Sequence, residues 1–424
     1  MTQKGGSPDQ LAVIAGAAGK NNAGTYPSLN GHGEKRRGDL ATRNHSTAAL
    51  RTWFTLAGLE FNPFNEMVAE KDPDLNDYFF DRQRLDPRIA APDSALIFAG
   101  PGCGKTALGL YLNYLHRNQR AGVLSLIYQA SELLAPSGGL RVLTPSAARD
   151  LLLQICEGWP SFEAQFKDPD LIGRLQAFLR PLDDDDEHLE HLVQKILEDD
   201  SLISLVRGRH RLLTSWDGSL WDGLPAFLRS LLQTDPAGLP DDEERQLDSL
   251  IEFAAEIGFK HIVFVVDGFE SLQKDASPLR QMSPILDQMV RLEKHQANVS
   301  WKLILPDEYR SALEKAKDIN FRKLTIAPVW LTITWREPEL TDFIRLRLEA
   351  ATRRQISSIE SLAEPRLRGR LEKEILALAE YSPRRCQEII NALITTHVEK
   401  RPERLLFSSG DWQDARERLE KSRH

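Results

Sequence analysis

The stretch Ala95-Leu96-Ile97-Phe98-Ala99-Gly100-Pro101-Gly102-Cys103-Gly104-Lys105-Thr106 decides the fold. It opens with five apolar residues, continues through a turn with three glycines, and leads into residues 106–115, whose apolar side chains recur at helical spacing. A strand, a glycine-rich loop and a helix are therefore predicted in that order. Successive backbone N–H groups of such a loop converge on an anion, and the helix N-terminus adds a partial positive charge. We therefore predict that residues 99–106 bind phosphate.

This segment matches the phosphate-loop motif, with Ala99 in place of the first glycine, which the relaxed form of the motif accepts. The mechanism of the motif assigns Lys105 to the β- and γ-phosphates and the Thr106 hydroxyl to Mg²⁺. ATP and Mg²⁺ are the expected cofactors. The predicted nucleotide-binding residues of this segment are Gly100, Pro101, Gly102, Cys103, Gly104, Lys105, Thr106 and Ala107.

A second signal lies at residues 261–267, a run of apolar residues that ends in Asp267. Such a site needs a carboxylate at the end of a neighbouring strand to hold Mg²⁺ through its water shell, and Asp267 fits that place. Glu270 follows three residues later, where it could polarise the attacking water, although a surface glutamate is an equal interpretation. The predicted catalytic residues are therefore Lys105, Asp267 and Glu270. Asp307 and Glu308 follow the next strand, and one of them could sense the γ-phosphate.

Further apolar runs at residues 123–128, 302–305 and 329–335 predict the remaining strands of a parallel sheet. The predicted fold is α/β, a parallel-sheet P-loop NTPase core with a large helical insertion and a C-terminal helical lid. The expected division is a flexible tail at 1–50, an NTPase domain at 51–335 with its insertion at about 145–259, and the lid at 336–424. The tail is expected because its composition offers few large apolar side chains.

Composition excludes several classes of protein. Apolar residues at 41% and charged residues at 27% are typical of a soluble globular chain, and no apolar run approaches the roughly 20 residues that cross a bilayer. A cytoplasmic protein without membrane contact is expected. Cys103, Cys156 and Cys386 are too few and too far apart to predict a disulfide framework or a zinc site. A net charge of −8 argues against a surface that clamps a polyanion throughout.

With the loop, the strand ending at Asp267 and the segment Ser382-Pro383-Arg384-Arg385, the chain resembles the AAA+ ATPases and the related STAND NTPases over roughly residues 61–398. The Asp-Gly-x-Glu order at 267–270 looks more like STAND proteins. Within AAA+, the chain is most similar to the initiator-like branch of origin-recognition ATPases. The resemblance implies that Arg384 or Arg385 touches the phosphates from the lid, that residues 62–64 and 78–79 cradle adenine, and that Arg322, Arg345 or Arg347 could reach a neighbouring subunit's nucleotide.

Three functions stay open at this point. The first is a nucleotide-driven switch or assembly ATPase that binds ATP or ADP, acts through a partner protein and could form a homo-oligomer. The second is an initiator or loader that binds nucleic acid through basic residues between 345 and 370, a cluster that intervening glutamates dilute. The third is a scaffold that keeps nucleotide without hydrolysing it. The sequence departs from the family at the first sensor position, which is Pro306-Asp307-Glu308, and no full winged-helix domain fits after His397.

Overall fold

A computed structural model describes residues 46–72, 75–79, 87–91, 93–119, 122–134, 139–181, 189–198, 222–272, 277–295, 298–320 and 328–421. Residues 1–45 of the predicted tail lie outside these ranges, and so does Arg322.

The core is a sheet of five parallel strands in the order β2-β3-β4-β1-β5. The prediction of an α/β fold with a parallel sheet is confirmed. The strands are β1 Ala95–Ala99, β2 Val123–Gln129, β3 His261–Asp267, β4 Val299–Pro306 and β5 Val329–Ile333. β4 begins three residues earlier than predicted, at Val299, and the polar but buried Ser300 in this segment hid its apolar pattern.

The loop after β1 leads into helix α1 of the core, Lys105–Gln119, which packs against β2, β3 and β4. Gly109 allows this close approach, because a Cβ atom there would lie 3.2 Å from Ile304 Cδ1 and 3.6 Å from Val265 Cγ1. Since β1 lies between β4 and β5, the loop sits at the carboxyl end of the sheet with strands on both sides. Ligands of open α/β sheets gather at this edge.

Between β2 and β3 the described chain is helical. The longer helices are α2 Pro145–Glu157, α3 Pro169–Leu179, α4 Leu189–Glu198, α5 Leu224–Gln233 and α6 Glu243–Glu256. Helix α2 covers the outer edge of β2 with side chains. The Ser125 N–H donates to Gln154 Oε1 at 3.0 Å and the Ile127 N–H donates to Asp150 Oδ2 at 3.1 Å. Side chains of α2 therefore satisfy backbone groups that an uncovered edge strand would expose.

Two helices flank the last strands, α7 Pro278–His295 and α8 Asp307–Asn320. The chain after β5 continues as α9 Glu337–Ala351, α10 Leu371–Ala379, α11 Pro383–Lys400 and α12 Ser409–Lys421. These four helices share a hydrophobic core that is separate from the cores on the two faces of the sheet.

An N-terminal helix, αN Ser46–Ala57, packs into this C-terminal core. Its Trp53 is fully buried against His397 and Phe407, with ring centroids 5.7 Å and 5.4 Å apart, and its indole N–H donates to the Leu405 carbonyl at 3.2 Å. We expected residue 51 to open the NTPase domain. Helix αN, which contains that residue, instead packs with the C-terminal helices.

A buried ionic cluster joins α11 to α12. Asp411 Oδ2 accepts hydrogen bonds from His397 Nδ1 at 3.0 Å and from the N–H and hydroxyl of Ser408, both at 2.8 Å. His397 and Asp411 are both fully buried. Burial acts to raise the pKa of Asp411, but the hydrogen bonds from His397 and Ser408 outweigh it and lower the pKa below the usual range.

We expect Asp411→Asn to lower the free energy of unfolding at pH 7 by about 2 kcal/mol, because it removes a charged acceptor from a buried cluster. A lowered pKa means that the native carboxylate stabilises the fold above about pH 4, where the unfolded aspartate is ionised, and that this contribution is lost as the pH falls through the native pKa. Denaturant melts between pH 2 and 7 should therefore show the gap between wild type and variant closing in acid. Asp414→Asn is the control, since its partner Lys400 is half exposed and surface pairs contribute little. Equal stability of Asp411→Asn and wild type at pH 7 would contradict the role given to this cluster.

Candidate nucleotide-binding site

The loop between β1 and α1 has the backbone form that anion binding requires. Gly102 and Gly104 have φ angles of +71° and +84°, in the left-handed region that side chains disfavour. Helix α1 begins at Lys105, directly after the loop. The loop and the N-terminus of a 15-residue helix therefore present their N–H groups at the same point.

Lys105 is buried under the loop and has three partners. Its Nζ atom donates to the Ala99 and Gly100 carbonyls, both at 3.1 Å, and lies 2.8 Å from Glu270 Oε1. An ammonium group has three N–H donors, so these contacts use all of them. The Glu270 side chain is 47% exposed. The two predicted catalytic residues are thus paired, and a phosphate group that reaches Lys105 must displace Glu270.

Asp267 ends β3 and lies next to Thr106. In the sheet β4 separates β3 from β1, so Asp267 does not come from the immediate neighbour of the loop strand as we had expected. Burial raises the pKa of Asp267. The nearby Thr106 hydroxyl and Gly268 N–H oppose that shift. Neither carboxylate oxygen completes a hydrogen bond of normal geometry to a described residue.

A buried carboxylate whose oxygens complete no hydrogen bond of normal geometry among the described residues, beside a threonine hydroxyl, is a chemical fit to a hydrated divalent cation. Mg²⁺ keeps several waters and takes few protein ligands besides the phosphates of its substrate. Within the described ranges, no three His, Cys, Asp or Glu side chains are grouped as a metal cage. Thr106 and Asp267 therefore fit a Mg²⁺ ion that arrives with a nucleotide better than a permanently bound metal.

A cavity of about 550 Å³ opens between the loop and the C-terminal helices, which is a size that suits a nucleotide. Its lining includes Pro101, Gly102 and Gly104 of the loop, together with Lys105, Thr106, Ala107, Glu270 and Arg384. Of the predicted site residues, Gly100, Cys103 and Asp267 are not part of this lining. The apolar and aromatic side chains of the lining include Met67, Val68, Leu75, Tyr78, Phe79, Phe343 and Leu346.

The expected adenine region is only partly at this cavity. Tyr78 and Phe79 line it. Phe64 instead is fully buried in the C-terminal core, and Asn62 donates to Asn391 Oδ1 at 2.8 Å. Met67 and Val68, which the sequence did not single out, also line the cavity.

The two arginines at the start of α11 differ. Arg384 lines the cavity and its backbone N–H donates to the Gly102 carbonyl at 3.3 Å. Arg385 is not among the lining residues, and its guanidinium pairs with Glu380 at 2.6 Å. Of the two residues predicted to touch phosphate, only Arg384 lies at the cavity.

The remaining arginines considered for contact with a second subunit have partners within the chain, and one of them, Arg347, lines the cavity. Arg347 is buried between the rings of Tyr78 and Phe343, with its guanidinium carbon 4.3 Å and 4.7 Å from their centroids, and it contacts the Pro63 carbonyl. Because it is enclosed within its own chain, it cannot extend to a neighbour. Arg345 pairs with Asp342 and Glu349 on α9.

Asp307 adjoins the loop, since a Cβ atom on Gly100 would lie 3.4 Å from Asp307 Oδ2. Burial, and to a lesser extent the charge of Asp307, raise the pKa of the Cys103 thiol despite the nearby Lys105. Cys103 therefore lacks the activated thiolate of a nucleophile. Neither Asp307 nor Glu308 lines the cavity.

Sequence reasoning missed Trp335. We had included it at the end of the fifth strand, but β5 ends at Ile333 and Trp335 lies just beyond, at the carboxyl edge of the sheet. It lines the cavity, and its indole N–H donates to the Cys103 carbonyl at 3.0 Å. An aromatic residue immediately after a strand that flanks β1 was the available signal.

Several of the basic residues proposed for a polyanion have partners within the chain. Arg353 pairs with Glu60, Arg370 with Glu374, and Arg345 with Asp342 and Glu349. Arg368 donates to the Ala363 carbonyl, and Arg347 is buried.

No helix in the described part of the chain is long and apolar enough to cross a membrane.

No protein-family model matches the chain, and neither does any curated protein. Among solved structures, the chain is similar to the Aeropyrum pernix Orc1 protein, whose structure was determined in complex with DNA. The identity is 16%, the TM-score is 0.40, and the match covers 85% of this chain and 70% of that one. A likeness at this level carries no inference about what this chain binds.

Proposed function

We propose that this chain is a Mg²⁺-dependent ATP-binding P-loop NTPase of the AAA+ type that works as a nucleotide-driven switch or assembly ATPase. The observation that carries the proposal is the cavity itself. Loop residues, Lys105, Thr106 and Arg384 line it together with aromatic side chains, and two separately cored parts of the chain contribute to its walls. Asp267 lies next to Thr106, behind this lining.

The residues divide the work by their chemistry. The loop N–H groups and Lys105 hold the phosphates, and Thr106 and Asp267 would hold Mg²⁺ with its waters. The bound ion would neutralise charge on the phosphates and help to orient them. Glu270, released from Lys105, would orient a water and accept its proton. Arg384 would hold the phosphates from the α11 side.

The switch follows from the position of Arg384. It lies in α11 of the C-terminal helices, whereas Lys105 begins α1, which packs on the sheet, so a nucleotide that contacts both would favour one arrangement of the two parts. That arrangement would be read by a partner protein or by further copies of this chain. Nothing in the geometry favours the STAND branch of the resemblance over the AAA+ branch.

The test is turnover together with particle size. Purified protein should hydrolyse ATP in the presence of Mg²⁺, and light scattering should report a different mass or hydrodynamic radius with ATP than without nucleotide. Hydrolysis without any change in mass or hydrodynamic radius would contradict the switch function and support an ATPase without it. Absence of both nucleotide binding and turnover would overturn the proposal.

A scaffold that holds nucleotide without turnover is the second candidate, and the pairing of Glu270 with Lys105 is the observation that favours it. In that case ATP would bind and raise the melting temperature, while the turnover of wild type and of Glu270→Gln would be equal and near zero. A DNA-binding function has less support, because Arg345, Arg353 and Arg370 of the basic cluster each pair with a carboxylate of the chain.

A further inference from the structure

Residues that follow β5 in the chain donate hydrogen bonds to backbone carbonyls of the phosphate loop. The indole N–H of Trp335 donates to the Cys103 carbonyl at 3.0 Å. Two further contacts reach the preceding carbonyl, that of Gly102, from the Arg384 N–H at 3.3 Å and from the Ser382 hydroxyl at 3.4 Å. The loop is therefore hydrogen-bonded to two separate points of that region.

The contact at Cys103 fixes the direction of a loop N–H group. The Cys103 carbonyl and the Gly104 N–H belong to one planar trans peptide, so they point to opposite sides of the chain. When the indole holds the carbonyl on one side, the Gly104 N–H is directed to the other. Gly104 lines the cavity and has a φ of +84°. Because glycine adopts positive and negative φ with similar ease, Gly104 by itself does not fix the orientation of this peptide.

Trp335 is also attached to the C-terminal helices. Its ring packs edge-on against Phe343 of α9, with centroids 6.0 Å apart and planes at 82°. It is packed against the C-terminal hydrophobic core, yet it lies two residues after β5. One side chain thus joins the loop, the sheet edge and the helices.

The second point of attachment needs glycine at the loop. A Cβ atom on Gly102 would lie 2.8 Å from the Ser382 hydroxyl and 3.3 Å from Arg384 Cβ. Ser382 is also the N-cap of α11, where its hydroxyl accepts the Arg385 N–H at 3.3 Å. The start of α11 is therefore seated directly on the loop backbone.

We infer that Trp335 is a positioning residue for the phosphate loop, directing the Gly104 N–H into the cavity and coupling loop geometry to the C-terminal helices. This inference rests on the proposed function. It adds a second connection between phosphate binding and the position of the C-terminal helices, one that does not depend on the Arg384 guanidinium. A displacement of α9 that withdraws the indole would free the Cys103 peptide to rotate. Phosphate binding and the docked helix position would then stabilise each other.

The test compares Trp335→Phe, which keeps an aromatic ring against Phe343 but loses the N–H donor, with the control Trp330→Phe. Trp330 lies on β5 and packs on Phe98, with centroids 5.4 Å apart. Hydrogen–deuterium exchange is measured first on nucleotide-free protein. We expect faster exchange in Trp335→Phe for the peptide covering residues 99–106, with the peptides of β2 and β3 unchanged, and no such change in Trp330→Phe.

The second measurement is nucleotide affinity. Loss of one hydrogen bond predicts an ADP Kd that is about two- to tenfold weaker in Trp335→Phe. Loop exchange equal to that of wild type would overturn the inference whatever the affinity. Faster loop exchange in a protein whose wild type binds neither ATP nor ADP would overturn the proposed function and leave the positioning contact in place.

Discussion

Replacing Lys105 by alanine is expected to weaken ATP binding about a hundredfold and to abolish hydrolysis. The Nζ atom lies under the loop, where it now contacts two loop carbonyls and Glu270, and it is the cation nearest to the predicted phosphate position. A hydrogen bond to a charged group contributes up to about 3 kcal/mol, and 1.4 kcal/mol is a factor of ten in Kd. Equilibrium dialysis with labelled ATP and Mg²⁺ measures the loss directly.

Lys167→Ala is the matched control, since Lys167 is exposed at the end of a short helix far along the chain from the loop. Because Lys105 also bonds two loop carbonyls, its variant could lose affinity through a disturbed fold. Melting temperatures without nucleotide separate the two effects. If Lys105→Ala folds and binds ATP like wild type, the assignment of the loop as the phosphate site is wrong.

Glu270→Gln is expected to have two effects of opposite sense. Turnover should fall at least a hundredfold, because the amide can orient a water but cannot accept its proton. ADP should bind more tightly by a few-fold to tenfold, since Glu270 competes with phosphate for Lys105 at 2.8 Å and glutamine carries no charge to compete. Using ADP for the affinity measurement keeps the result independent of hydrolysis.

Glu252→Gln serves as the control, because Glu252 is an exposed glutamate on α6 and its replacement changes the charge by the same amount. Turnover of Glu270→Gln equal to an active wild type would remove the general-base role. Unchanged or weaker ADP binding would show that Glu270 does not oppose phosphate at Lys105.

The sequence located the elements whose signals are local. A strand, a glycine loop and a helix follow one another within residues 95–115, and the run that ends at Asp267 is uninterrupted. The parallel strands followed from their apolar runs, but the start of β4, the end of β5 and the place of β4 between β3 and β1 did not. At the start of β4, Ser300 is buried against the usual preference of polar side chains.

The features that escaped prediction depend on contacts between residues distant in the chain. Trp53 packs on His397 and Phe407, and Arg347 packs on Tyr78. Because these partners are distant in the chain, the local sequence around Trp53 or Arg347 does not predict them. Arg347 in particular was one of three candidates for contact with a neighbouring subunit, yet it holds an N-terminal segment to α9. A sequence indicates that an arginine needs a carboxylate, a carbonyl or an aromatic ring, but the fold decides which one it meets.

The central claim is that the cavity between the loop and the C-terminal helices holds one Mg²⁺-bound nucleotide. Calorimetric titration of ATP into the full chain tests it most directly, with and without Mg²⁺ and with wild type beside Asp267→Asn. We predict one site per chain, with affinity that falls when Mg²⁺ is withdrawn and a Mg²⁺ dependence that is much reduced in Asp267→Asn. No heat of binding by a folded wild type, confirmed by an unchanged melting temperature at millimolar ATP, would contradict the claim.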